Sequence, residues 1–299
     1  MIEMLRDRDT LAKTRDLLEL DRRGRLRCRD ARVVLGAVRR VQETGDAGLV
    51  DDLLANGLLS RSGERYAEHV EPLMRPIGQS QFAMGTARGR EAHFCGETPQ
   101  HTVALSPFAI ASVPVTNELY GLLHPEQLDI PAHDRRKPVV DVTWFDAALF
   151  ALWVGCRLPT EAEWEFSCAR GAATEWCCAH EHELPRYAWF SENSGGHIHS
   201  VATREPNRLG VYDLHGNVWE WCEDVYDQDF YASSPAVDPV PPSRPGDEAA
   251  DRTCRGGCMY SFAEMCRTRY RFHEPPQFWA SDLGFRLARS IDSPPTGGD

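Results

Sequence analysis

The sequence predicts a domain of few helices, short strand pairs and long loops held by packed aromatics, set behind a small helical extension. Three observations predict it. The texture of the chain changes near residue 75, helical spacing of apolar residues is confined largely to the part before it, and the part after it is rich in Gly, Pro and Trp. The domain boundaries expected from this are a helical extension over 1–75, the main domain over 76–290 and a disordered tail over 291–299.

In the extension, Val33, Val34, Ala37, Val38 and Val41 recur at helical spacing after a possible cap at Asp30, and Leu49, Val50, Leu53 and Leu54 do so before Gly57. The piece GAVRRVQETGDAGLVDDLLANG resembles one HEAT-type helical pair. One pair cannot bury its own face, so it is expected to pack on the following domain or on a protein partner. The Arg-rich stretch Arg22–Arg32 also carries Asp21 and Asp30 beside it or within it, and reads as a solvated helix face and loop. In the main domain, Thr143 with Asp146 and Thr160 with Glu163 form capping boxes opening TWFDAALFALWVG and PTEAEWEFSCARG. Gly155 and Gly171 then stand where left-handed residues end each helix. Ser233–Ala250, with Pro235, Pro239, Pro241, Pro242 and Pro245, reads as an exposed loop.

Composition narrows the function classes. The chain is 42% hydrophobic and 26% charged, the balance of a globular protein. A net charge of -12 argues against nucleic acid and anionic lipid as partners, because both need clustered Lys and Arg. No apolar run approaches a membrane span, and the first twenty residues lack the apolar core of a secretory signal. A cytoplasmic location is therefore expected, with the ten cysteines reduced rather than joined in a disulfide framework. No CxxC occurs. Adjacent Cys177 and Cys178, read as strand neighbours, would point to opposite faces and make a poor joint metal site.

The motifs in chain order carry the most information: FAMGT, ETPQHTVALSPFAIASVPVTNELY, PVVDVTWFDAALFALWVGCRLPTEAEWEFSCARG, YAWFSENSGG, PNRLGVYDLHGNVWEWCEDVYD, CRGGC, CRTRYRF and LGFRLARS. This series resembles the domain shared by formylglycine-generating enzyme, ergothioneine sulfoxide synthases and pyoverdine-maturation proteins. The resemblance implies an α+β fold similar to the C-type lectin architecture, with little regular secondary structure. Arg255 and Arg286, in RGGC and LGFR, read as architecture that satisfies buried carbonyls or carboxylates.

The resemblance also implies site residues. In formylglycine-generating enzyme a structural Ca²⁺ sits at positions matching Asp213, Gly216, Val218 and Glu220; carboxylate and backbone oxygens are the ligands that calcium prefers. That enzyme is a copper oxidase whose two cysteines bind Cu(I). Alignment on Gly256 and Gly257 puts Ser261 at the first of these positions and Cys266 at the second. A hydroxyl is a hard, weak ligand for Cu(I), so conversion of a sulfatase cysteine by that mechanism is not expected. Cys258 replaces the serine of the family's RGGS motif, and could form a displaced thiol pair with Cys266. Iron is the other candidate metal, but residues 1–75 contain only His69 and no HxxxHxE motif. The His180–Glu183 and His197–His199 clusters read as polar loops.

Two readings of function follow. One is a metal-assisted, oxygen-using oxidoreductase acting on a small molecule or peptide residue, with Cys258, Ser261, Cys266, Trp219 and His273 at the pocket and Cu or Fe as catalytic metal. The other is a binding module that keeps the scaffold without catalysis.

Overall fold

The structure is a computed structural model. It describes residues 68–87, 96–122, 128–169, 174–242 and 250–291, together with the strands β1 (Leu18–Leu20) and β2 (Leu26–Cys28). These two strands pair antiparallel, where a helix face and loop were expected over Arg22–Arg32. The apolar positions Leu18, Leu20, Leu26 and Cys28 alternate with polar ones, a period of two that the charge count of this stretch hides. The helices expected between 31 and 57, Gly171 and the tail after 291 lie outside the described residues.

The remaining strands are β3 (Met74–Ile77), β4 (Ser80–Met84), β5 (His101–Leu105), β6 (Phe108–Ala111), β7 (Trp219–Val225), β8 (Arg252–Arg255), β9 (Phe272–Glu274), β10 (Leu283–Phe285) and β11 (Ala288–Ser290). Their sheets are small: β4 pairs β5, β6 lies between β11 and β3, and a four-stranded sheet runs β10-β7-β8-β9. In the last, β10 runs parallel to β7 and the other pairs are antiparallel. A short helix α1 (Asn117–Tyr120) precedes the two longer ones, α2 (Trp144–Trp153) and α3 (Glu161–Ala169). The α+β class with modest regular structure is thus observed.

Both capping boxes form. Asp146 N donates to Thr143 Oγ1 at 3.1 Å and Thr143 N donates to Asp146 Oδ2 at 2.9 Å. Thr160 N donates to Glu163 Oε2 at 2.9 Å, and Glu163 N to Thr160 Oγ1 at 3.2 Å. Gly155 ends α2 in the left-handed region, with φ 71°. The stretch 233–242 is a mostly exposed loop, as its prolines predict.

Helix α3 is buried along its whole length, its three glutamates included. A carboxylate taken out of water needs a partner. Glu161 takes Arg271 through both oxygens, at 2.7 and 2.8 Å, and Glu163 takes Arg157 at 2.6 Å twice. Glu165 pairs with Arg255, whose Nη1 also donates to the carbonyls of Thr268 and Tyr270 at 3.2 and 2.5 Å. Arg286 pairs in the same way with Glu220. The architectural roles expected of Arg255 and Arg286 are therefore observed.

One core gathers α2 against Trp219, Trp221, Leu283 and Phe285, and a second gathers Phe82, Val103 and Leu105 against Trp164 and Phe166 of α3. A third, smaller core of Cys178, Leu184, Ala188, Phe190, Ala263 and Cys266 underlies the loop that follows β8.

Candidate functional site

That loop, 256–266, contains Cys258, Ser261 and Cys266. Its opening needs glycine: Gly256 and Gly257 have φ of 102° and 75°, and a Cβ on Gly257 would stand 2.7 Å from Cys266 Sγ. The turn VYDLHGNV holds the loop from below. Gly216 N donates to Gly256 O at 2.8 Å, and Met259 N donates to Asn217 O at 3.0 Å. Ser194 Oγ donates to Met259 O at 2.7 Å.

Cys258 is 3% exposed and Cys266 is fully buried. Cys258 Sγ lies 3.1 Å from Asp282 Oδ2 and 3.5 Å from Ser261 Oγ, while Cys258 N donates to Ser261 Oγ at 2.9 Å. Burial pushes the Cys258 thiol up to about 11, with Asp282 adding to the rise. Burial likewise raises the thiol of Cys266. Both are protonated near neutrality and poor nucleophiles. Trp219, in the same apolar cluster as Cys258, is buried in the four-stranded sheet, stacked on Phe272 at 4.9 Å and tilted against Tyr270 at 5.9 Å. His273 is held by Asp251 at 2.7 Å and stacks on Tyr226 at 4.1 Å.

The donors at this loop do not fit Cu(I). Cys258 faces a carboxylate and a hydroxyl, which are hard ligands, and Cys266 is enclosed beneath Gly257.

The calcium set meets a different obstacle. Both oxygens of Glu220 are taken by Arg286, at 2.5 and 2.6 Å, and Trp164 Nε1 donates to one of them at 2.8 Å. Asp213 is buried, accepts from Ala202 N at 2.8 Å, and is pushed up to about 6 by burial. Gly216 is fixed by close approach, since a Cβ there would collide with the Trp189 carbonyl. Asp213, Gly216, Val218 and Glu220 as arranged hold a turn rather than an oxygen cage, because Glu220 neutralises an arginine. Among the described residues, no group of three or more His, Cys, Asp and Glu gathers as a metal site.

The histidine clusters are structural. His180 N donates to Glu183 Oε2 at 3.0 Å, while His199 stacks on Trp189 at 3.6 Å. Segment 174–180 is a series of bends, not a strand, so the expected opposite facing of Cys177 and Cys178 does not apply.

The sequence reading missed three features. One is Asp282 as the partner of Cys258. Another is the exposure of aromatics on two loops tied by that contact: Tyr260 and Phe262 are 59% and 67% exposed, Phe278 and Trp279 39% and 38%. The bunching of aromatics in MYSF and QFWAS, outside any periodic segment, was the available signal. The third is His215, whose links to Cys177 and Cys266 have no sequence signal.

A model of the sulfatase-modifying factor enzyme 1-like domain matches residues 67–291, more than half of the chain. The chain belongs to this family. A relative in Streptomyces coelicolor, named formylglycine-generating enzyme, is 33% identical over 71% of this chain and 87% of its own length. A Chlamydia pneumoniae relative named serine/threonine-protein kinase pkn1 is 34% identical over 84% of this chain, which spans only 44% of that longer protein. Among solved structures, PvdO from Pseudomonas aeruginosa superposes with a TM-score of 0.65 at 24% identity, covering 73% of this chain and 94% of its own, a likeness of fold. The sulfatase-modifying-factor scaffold thus accounts for the order of motifs. No helix among the described residues is long and apolar enough to cross a membrane.

Proposed function

We propose that this sulfatase-modifying-factor domain is a recognition module that binds a basic peptide across the loops 256–266 and 275–282. The observation that carries this reading is the exposure of Tyr260, Phe262, Phe278 and Trp279 on two loops joined through Cys258 and Asp282. Exposed aromatics present rigid, amphipathic contact area at low entropic cost. Charge supplies the chemistry of the occupant. Residues 256–266 and 272–282 carry Glu264, Glu274 and Asp282 and no Lys or Arg. Burial and the neighbouring Asp251 hold the Glu274 carboxyl above its usual range, which a bound cation would relieve.

Selection from a random peptide library on the immobilised protein tests the reading. Enrichment of sequences combining Lys or Arg with apolar residues is expected. Selection of acidic peptides, or of none, would overturn it.

A second reading keeps the oxidative chemistry that the resemblance to formylglycine-generating enzyme implies: a metal-assisted, oxygen-using oxidoreductase. What favours it is the presence of two thiols in one loop, Cys258 next to Gly257 in the chain and Cys266 packed against Gly257. Oxygen uptake with Cu(I) or Fe(II) and a cysteine peptide, lost in Cys258→Ser, would establish it.

A further inference from the structure

Segment 175–178 is stitched to the floor of the candidate site by three hydrogen bonds, one of which His215 relays to Cys266. Thr268 N donates to Glu175 O at 2.7 Å, and Trp176 Nε1 donates to Ala263 O at 3.1 Å. Cys177 N donates to His215 Nε2 at 3.0 Å, which leaves the ring proton on Nδ1 to donate to Cys266 O at 2.7 Å. An ion pair, Arg267 to Glu175 at 3.2 Å, adds to these. The segment ends in two adjacent free thiols, Cys177 half-buried and Cys178 buried. Bends rather than a strand carry them, so the pleat that would separate neighbouring side chains is absent.

We propose that Cys177 and Cys178 form a redox-reactive vicinal dithiol, a modification site for hydroperoxides, whose closure to a disulfide is transmitted to loop 256–266. The chemistry balances with one peroxide per pair. A thiolate attacks one oxygen of the hydroperoxide, the O–O bond breaks, and the other oxygen leaves as water or alcohol after taking a proton. The sulfenic acid so formed is displaced by the neighbouring thiol, which makes the S–S bond and releases water. Two sulfurs lose two electrons in total and the peroxide gains them.

Two physical arguments support the site. Within the pair, the Cys177 thiol donates toward Cys178, which lowers the Cys178 thiol and so favours its reaction. Adjacent Cα atoms are about 3.8 Å apart, closer than the roughly 4.4–6.8 Å usual for a disulfide, so the closed ring is strained and easily reduced. Strained disulfides are the labile, reversible kind. Closure must move the Cys177 amide, and with it His215 and the Cys266 carbonyl. The transmission does not depend on what loop 256–266 binds.

The test oxidises the folded protein with hydrogen peroxide, quenches it, and maps it by mass spectrometry. Both thiols fall in one tryptic peptide, between Arg170 and Arg186. The expected result is loss of two hydrogen atoms from that peptide, reversed by dithiothreitol and absent in Cys177→Ser and Cys178→Ser, with faster amide exchange over 263–266 only in the oxidised wild type. Over-oxidation to sulfinic acid without an intrapeptide disulfide would overturn the site. Disulfide formation with unchanged exchange over 263–266 would overturn the transmission.

Discussion

Cys258 Sγ and Asp282 Oδ2 meet at 3.1 Å, joining the loop after β8 to the loop before β10. Burial raises the thiol most, and the contact adds to the rise, because the carboxylate accepts from S–H and repels a thiolate. Asp282→Asn removes that charge and should lower the thiol pKa. Each unit of lowering is a tenfold gain in thiolate below the pKa. Alkylation of Cys258 by iodoacetamide at pH 8, followed by peptide mass spectrometry, should run several-fold faster in the variant. An unchanged rate would show that burial alone sets the pKa.

Glu220 and Arg286 form a fully buried, two-pronged ion pair. Removing one partner strands the other charge, at a cost of about 3–5 kcal/mol. Glu220→Ala should therefore unfold at markedly lower urea concentration. Because Glu220 serves the arginine, EDTA should leave the wild-type melting temperature unchanged. A large drop on chelation would restore the calcium cage that the sequence implied.

His215 is pushed down from 6.5 to about 4 by burial. Between those values the unfolded chain binds a proton that the folded chain refuses. Its contribution is complete above pH 6.5 and is lost as pH falls toward 4, by about 3 kcal/mol in all. Denaturant melts across this window should show a shallower pH slope in His215→Gln, which can still accept from Cys177 N and donate to Cys266 O. Equal slopes would place the acid sensitivity elsewhere.

Ser261 occupies the position of the first copper cysteine in the resemblance to formylglycine-generating enzyme. Ser261→Cys should raise Cu(I) affinity at least tenfold in a competition titration, since it replaces a hard donor by a thiolate within the loop that holds Cys266. No gain would show that enclosure of Cys266, rather than the missing thiol, excludes the metal.

Local chemistry explains which parts of the structure the sequence foretold. The capping boxes at Thr143 and Thr160 were legible because their partners lie three residues away. Arg255 and Arg286 were recognisable as architecture, but not Glu165 and Glu220 as their partners, which lie 90 and 66 residues distant. The same limit hid Asp282 behind Cys258. Exposure of Phe262 and Trp279 was signalled only by the bunching of aromatics in their loops: such aromatics usually pack inward, and the fold reveals those that do not. The calcium reading rested on residue identity, and residue identity does not show that an arginine has taken the carboxylate.

The recognition surface is tested most directly by calorimetric titration of a library-selected basic peptide into wild type, a Phe262→Ala/Trp279→Ala double variant and Cys258→Ser. Loss of binding in the aromatic variant with binding retained in Cys258→Ser is the predicted result. Undiminished binding in the aromatic variant, with loss in Cys258→Ser, would contradict it and place the ligand on the thiol.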